Sequence, residues 1–292
     1  MTARKASLLM IIAAMMWGTN PALVQLADWH PLATAWLRGG FCGAVVIIYI
    51  FLSGPLSFAS LSLQFFCGLF LAINSMLFVA ASTYTSPANA VVLMFIFPWI
   101  TIALDYFLKG TVPLKGDIFR LVLGLIGIAF IVSSGISSPN FLGDMFALCA
   151  GVAIALHITV SQKLSERHGG NREILSAIAI AWIITFIGLV PFVFTPLGID
   201  TSLPSPQNEQ WHYLFAFGIL SALPWLLWGK AIAHISGHVI AALLGVEVFT
   251  AAVLGWWVLG ILPTESTWIG GLLVLFAAGY QIISGSKETA SA

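Results

Sequence analysis

Few side chains in this sequence can do chemistry, and most of those lie inside long apolar runs. His157 changes charge near neutral pH, so it can bind a carboxylate or carry a proton. Glu247 is the deepest acidic side chain, close to the middle of an apolar run, where an ionisable group marks function by default. Asn20, Asn74 and Ser161 add hydrogen-bonding groups, and Trp17, Phe78, Trp99 and Trp228 add ring surfaces that suit planar apolar solutes. Catalytic pairings are missing: the sequence has no His-Glu-x-x-His for zinc, no obvious paired aspartates and no Gly-x-x-x-x-Gly-Lys-Ser/Thr for ATP. Cys42, Cys67 and Cys149 are odd in number and form no Cys-x-x-Cys, so they read as small apolar packing residues. The pattern suggests binding, with polar or proton coupling through His157 and Glu247, and implies no enzyme activity, metal or cofactor.

These residues must be positioned by helices in a bilayer. Of the 292 residues, 60% are hydrophobic and 8% charged, against about 25% charged in a soluble domain. Eleven basic residues offset eleven acidic ones, which leaves no basic excess for nucleic acid. A bilayer core needs about 20 apolar residues per spanning helix. The chain divides into ten such spans, at residues 6–27, 32–53, 62–83, 87–108, 117–137, 141–163, 173–195, 212–233, 238–259 and 267–286. The runs are continuous in Leu, Ile, Val, Ala and Phe rather than alternating, which selects helices over a β-barrel. Arg4 and Lys5 open the first run, which reads as a retained helix because further spans follow it.

Charge sets the expected orientation. Arg4, Lys5, Lys109, Lys115, Arg120, Lys163, Arg167, Arg172, Lys230 and Lys287 fall on the side of the N-terminus, and only Arg38 falls opposite. Short loops on the cytoplasmic face collect Lys and Arg, so both termini are expected in the cytoplasm. Trp29, Trp36, Trp211 and Trp268, near span ends on the far side, suit an interfacial aromatic belt. Gly39 and Gly43 suit close packing of span 2 within the molecule.

The two halves of the chain also match each other. Tyr84 through Gly110 aligns with His234 through Gly260 at an offset of 150, and Trp17-Gly18-Thr19-Asn20 lies over Ile154-Ala155-Leu156-His157 at 137. Residues 1–138 and 139–292 thus read as two five-helix repeats within one membrane domain. Five is odd, so the second repeat is inverted, an arrangement that places a binding site between the repeats near the midplane. Helical spacing then picks one face on each of four spans: Ala13, Trp17, Asn20 and Val24; Ala150, Ile154, His157 and Ser161; Asn74, Phe78, Ala81 and Thr85; and Pro224, Trp228, Ala231 and Ile235.

The run Ala13-Ala14-Met15-Met16-Trp17-Gly18-Thr19-Asn20, Arg38 early in span 2, Thr85-Ser86-Pro87-Ala88 opening span 4, Gly143-Asp144 opening span 6 and Glu247 in span 9 resemble the drug/metabolite transporter superfamily, EamA type. Within it the chain is most similar to the YddG-type aromatic amino-acid exporters of bacterial inner membranes. The resemblance implies an inner-membrane carrier, acting as a monomer, that exports a small organic metabolite by alternating access. Aromatic and other apolar amino acids are the expected cargo. The alternatives are an intramembrane enzyme or an exporter of a different metabolite or drug.

Overall fold

The computed structural model describes residues 1–27, 29–54, 57–84, 93–110, 115–133, 141–168, 171–194, 209–235, 237–260 and 264–288. The Thr85–Ala88 motif and the loop at 195–208 lie outside these residues. Among the described residues all regular structure is helical: α1 (Ala3–Trp17), α2 (Asn20–Ala27), α3 (Pro31–Ser53), α4 (Leu61–Tyr84), α5 (Phe97–Lys109), α6 (Lys115–Ser133), α7 (Phe141–His168), α8 (Asn171–Phe194), α9 (Gln210–Ala231), α10 (Gly237–Leu259) and α11 (Glu265–Glu288). A short 3-10 turn, Ile232–His234, extends α9.

Among the described residues six stretches are long and apolar enough to cross a bilayer: Ala3–Val24, Leu32–Ser53, Leu61–Ala81, Phe141–Arg167, Arg172–Leu189 and Gln210–His234. Four shorter apolar helices, Phe97–Leu108, Leu121–Phe130, Leu243–Val258 and Trp268–Ala277, lie where spans 4, 5, 9 and 10 are expected. The surface is apolar as well as the interior. Leu52, Phe107 and Trp257 are each at least 80% exposed, a cost in water that vanishes against lipid chains. The chain is a multi-pass membrane protein.

Local chemistry explains where the helices begin and end. Thr2 Oγ1 accepts from the Lys5 amide at the start of α1, and Pro31 occupies the first turn of α3, where its missing N–H costs nothing. Gly110 and Gly260 end α5 and α10 with φ of 68° and 72°, a left-handed conformation that favours glycine. These two glycines are partners at the offset of 150.

Two expected spans are broken. Span 1 stops at Trp17 and resumes at Asn20, because Pro21 has no N–H for the Trp17 carbonyl. Thr19 turns back instead, donating both its N–H (3.1 Å) and its Oγ1 (2.7 Å) to the Met16 carbonyl. Span 4 turns at Phe95 and Ile96 for the same reason, since Pro98 cannot donate to the Met94 carbonyl. That carbonyl faces Gly151 of α7 so closely that a Cβ there would lie 2.7 Å from it. α7 and α10, the helices that the sequence match sets against these two spans, run unbroken for 28 and 23 residues.

Packing mixes the two halves. α4 lies against α7 and α8, α9 against α1 and α3, α3 against α8, α6 against α11, and α10 against α1. Gly39 and Gly43 make the α3–α8 approach possible, as expected of close packing inside the molecule. A Cβ on Gly39 would be 3.2 Å from the Phe186 amide, and one on Gly43 would be 3.2 Å from Trp182 Cβ. Trp36 stacks on Phe186 at 5.0 Å across this seam.

At one end of the bundle the halves are fastened by polar groups. Ser57 Oγ donates to Glu173 Oε1 (2.6 Å), and buried Gln64 donates from Nε2 to the carbonyls of Ser57 (2.5 Å) and Glu173 (3.3 Å). Arg172 donates to the Ser53 carbonyl.

Candidate substrate site

Among the described residues a polar and aromatic cluster lies where α1, α3, α4, α7, α8, α9 and α10 meet. On α9, Phe217, Ser221, Trp225 and Trp228 share one face through spacings of four, four and three. Trp225 is the hub: its ring lies 4.8 Å from Trp17, 6.1 Å from Trp182, 5.7 Å from Trp228 and 5.8 Å from His157. The His157 ring stacks on Trp228 at 5.7 Å with an interplanar angle of 29°. Edge and offset geometries of this kind are the favourable ones for ring quadrupoles.

His157 is fully buried and held from α4. Its Nδ1 lies 2.9 Å from the Cys67 carbonyl, and a carbonyl only accepts, so Nδ1 carries a proton and donates. Ser161 Oγ sits 3.5 Å from Nε2 and 3.1 Å from Cys67 Sγ, which closes a small polar chain between α4 and α7. Asn20, just after the break in span 1, accepts at Oδ1 from Ser221 Oγ at 2.9 Å, which ties α2 to α9.

Arg38 enters the same region from α3. Its guanidinium carbon lies 5.3 Å from the Trp182 ring centre and 5.2 Å from that of Phe217, so the cation is held against two aromatic rings. It also interacts electrostatically with Glu247 of α10. The sequence alone shows no basic partner for Glu247 at its depth, yet folding brings Arg38, about 200 positions earlier, within electrostatic range of it.

Donors outnumber acceptors here. The indole nitrogens of Trp17, Trp182, Trp225 and Trp228, and Nε of Arg38, are buried without a hydrogen-bond partner.

Of the residues singled out from sequence, Trp17, His157, Ser161 and Trp228 come together, Asn20 adjoins them through Ser221, and Glu247 adjoins them through Arg38. Three lie elsewhere. Asn74 donates to the Ala150 carbonyl (3.0 Å) and joins α4 to α7. Phe78 packs with Leu93 and Phe146 against Ala81 and Ala147 in a separate apolar cluster. Trp99 is 40% exposed and shares the outward face of α5 with Ala103, Tyr106 and Phe107, opposite buried Phe97, Thr101 and Asp105. Helical geometry places Trp99 away from any inner surface, so it does not join the ring cluster. Cys42 and Cys67 are buried as expected, but Cys149 is exposed. Among the described residues no group of His, Cys, Asp or Glu is placed to hold a metal ion.

Apolar helices wrapped around a buried cluster of aromatic rings define a multi-pass membrane protein. The EamA-like transporter family matches residues 4–133 and again residues 141–280. The chain belongs to this family and is a membrane transporter. It is 25% identical to the "Uncharacterized inner membrane transporter YicL" of Salmonella typhimurium, with 93% of each chain covered. It is also 26% identical to the "Uncharacterized transporter YwfM" of Bacillus subtilis, covering 93% of this chain and 94% of that one. A solved crystal structure superposes with a TM-score of 0.77 over 99% of both chains at 16% identity, a likeness of fold.

Proposed function

We propose that this protein is an inner-membrane exporter of aromatic and other apolar amino acids that works by alternating access between two inverted five-helix repeats, residues 1–138 and 139–292. The observation that carries the substrate class is the cluster of Trp17, Trp182, Trp225, Trp228 and His157, a ring-lined interior with few polar groups. Each ring contact with an aromatic solute contributes about 0.5–1.5 kcal/mol beyond burial, roughly a two- to tenfold preference. His157 and Glu247 are the candidates for coupling transport to a proton or polar gradient.

Several features support the inverted repeat. The family matches the chain in two successive segments. The α4–α7 contact has its counterpart in α9–α1, α4–α8 in α9–α3, and α5–α7 in α10–α1. Asn20 and His157, aligned at the offset of 137, each bond across to the other half, to α9 and α4 respectively. The inner-membrane location is supported by the printed name of the Salmonella relative.

Purified protein in proteoliposomes should carry labelled phenylalanine and tryptophan at least twofold faster than alanine, and carry no glucose. Robust transport of sugars or nucleotides in place of amino acids would overturn the assignment. Topology gives a separate check. A reporter fused after Ala292 should be cytoplasmic and one inserted near Ser205 external, and finding both on one face would break the ten-span layout.

A further inference from the structure

We propose that Arg38 is the binding point for the carboxylate of the transported solute. The proposal rests on the amino-acid reading above and sharpens it, because it makes the carboxylate the recognised group and leaves the amino group unread.

Three observations converge on it. The Arg38 guanidinium lies against Trp182 and Phe217, and its Nε is buried without a hydrogen-bond partner. Four buried indole N–H groups in the adjoining cluster, on Trp17, Trp182, Trp225 and Trp228, also lack acceptors. Trp182 and Trp228 are no more than 1% exposed, and Trp17 and Trp225 no more than 6%, so bulk water does not satisfy them. Buried donors left unpaired in a native fold call for an explanation, and a bound ligand is one. A set made only of donors around a fixed cation fits a carboxylate, which has two oxygens and about four acceptor positions and donates nothing.

The ammonium group of an amino acid is served poorly by the same surroundings. Asn20 Oδ1 is already occupied by Ser221, and the Arg38 guanidinium repels a second cation. A solute carboxylate supplies the acceptors that Arg38 and the indole N–H groups lack, together with an apolar body suited to the rings.

Three probes of similar size separate the groups: L-phenylalanine, 3-phenylpropionate, which lacks the amine, and 2-phenylethylamine, which lacks the carboxylate. Their binding is read from quenching of the intrinsic tryptophan fluorescence of the full chain in detergent. The expected result is that the two carboxylates bind within about tenfold of each other and the amine binds more than tenfold more weakly. Arg38→Gln should weaken both carboxylates more than tenfold, with Arg38→Lys recovering part of the loss.

Equal binding of the amine and 3-phenylpropionate would overturn the proposal. If Arg38→Gln does not fold, that comparison still decides it. Binding of L-phenylalanine that Arg38 variants leave unchanged would sink the carboxylate site and leave the aromatic reading standing. Arg38-dependent binding of acetate, with none of the aromatic probes bound, would do the reverse. Failure of every probe would reject both.

Discussion

Trp228→Ala should slow phenylalanine and tryptophan transport roughly two- to tenfold more than alanine transport. Trp228 is fully buried and touches Trp17 (6.1 Å), Trp225 (5.7 Å) and His157 (5.7 Å), so its removal opens a hole in the ring cluster and leaves His157 without its stacking partner. Loss of so large a side chain from a packed interior costs about 3–5 kcal/mol, which should appear as a lower melting temperature for every cargo alike. Selectivity is a separate quantity. It depends on ring surface offered to the solute, so Trp228→Phe should recover most of the preference while recovering only part of the stability. Initial rates in proteoliposomes, measured for the three amino acids beside thermal unfolding, separate the two effects. An equal loss for all cargoes would reduce Trp228 to a packing residue.

The second large effect is expected at Gly18, in the joint between α1 and α2. A Cβ at this position would lie 2.6 Å from Thr250 Cβ and 2.8 Å from the Glu247 carbonyl oxygen, closer than real Cβ atoms approach either. Neither neighbour can yield easily, since one is backbone and the other is attached directly to it. Gly18→Val should therefore push the joint away from α10 and destabilise the protein by about 1–3 kcal/mol. Gly18→Ala adds that Cβ and no more, so it should destabilise less than Val yet lower transport about tenfold, because it disturbs the contact between the halves. Adding Thr250→Gly should restore part of the rate by removing the nearer obstacle. Full transport by Gly18→Val would show that this contact plays no part in the cycle.

The helices were legible because the bilayer imposes a length that composition reveals directly. Continuous apolar runs of about 20 residues leave little choice of element. The interruptions at Gly18-Thr19 and Phe95-Ile96 were less visible, since a proline near a run's end is compatible with either a kink or a boundary. Within the cluster, Trp17, His157 and Trp228 were accessible through the repeat alignment and helical spacing. Trp225 escaped that route because it is one position away from the face chosen through Pro224 and Trp228. Its signal was the spacing with Phe217 and Ser221 along α9. Arg38 entered the sequence reading only through the charge count and the family resemblance, although a lone arginine seven residues into an apolar helix is itself a signal of function. Trp99 shows the converse limit: membership of an inner span says nothing about direction until the facing helices are known.

The fastening between residues 53–64 and the start of α8 bears on the timing of the cycle. Three of its hydrogen bonds cross between the halves, from Ser57 and Gln64 to Glu173 and from Arg172 to Ser53. At about 1 kcal/mol net for each, they hold this end shut by about 3 kcal/mol. On the alternating-access reading, thermal opening toward that side is then populated roughly once in a hundred looks. Exchange through that end is governed by how long a solute waits for the rare open state, and passive leak in the absence of cargo is suppressed by the same factor.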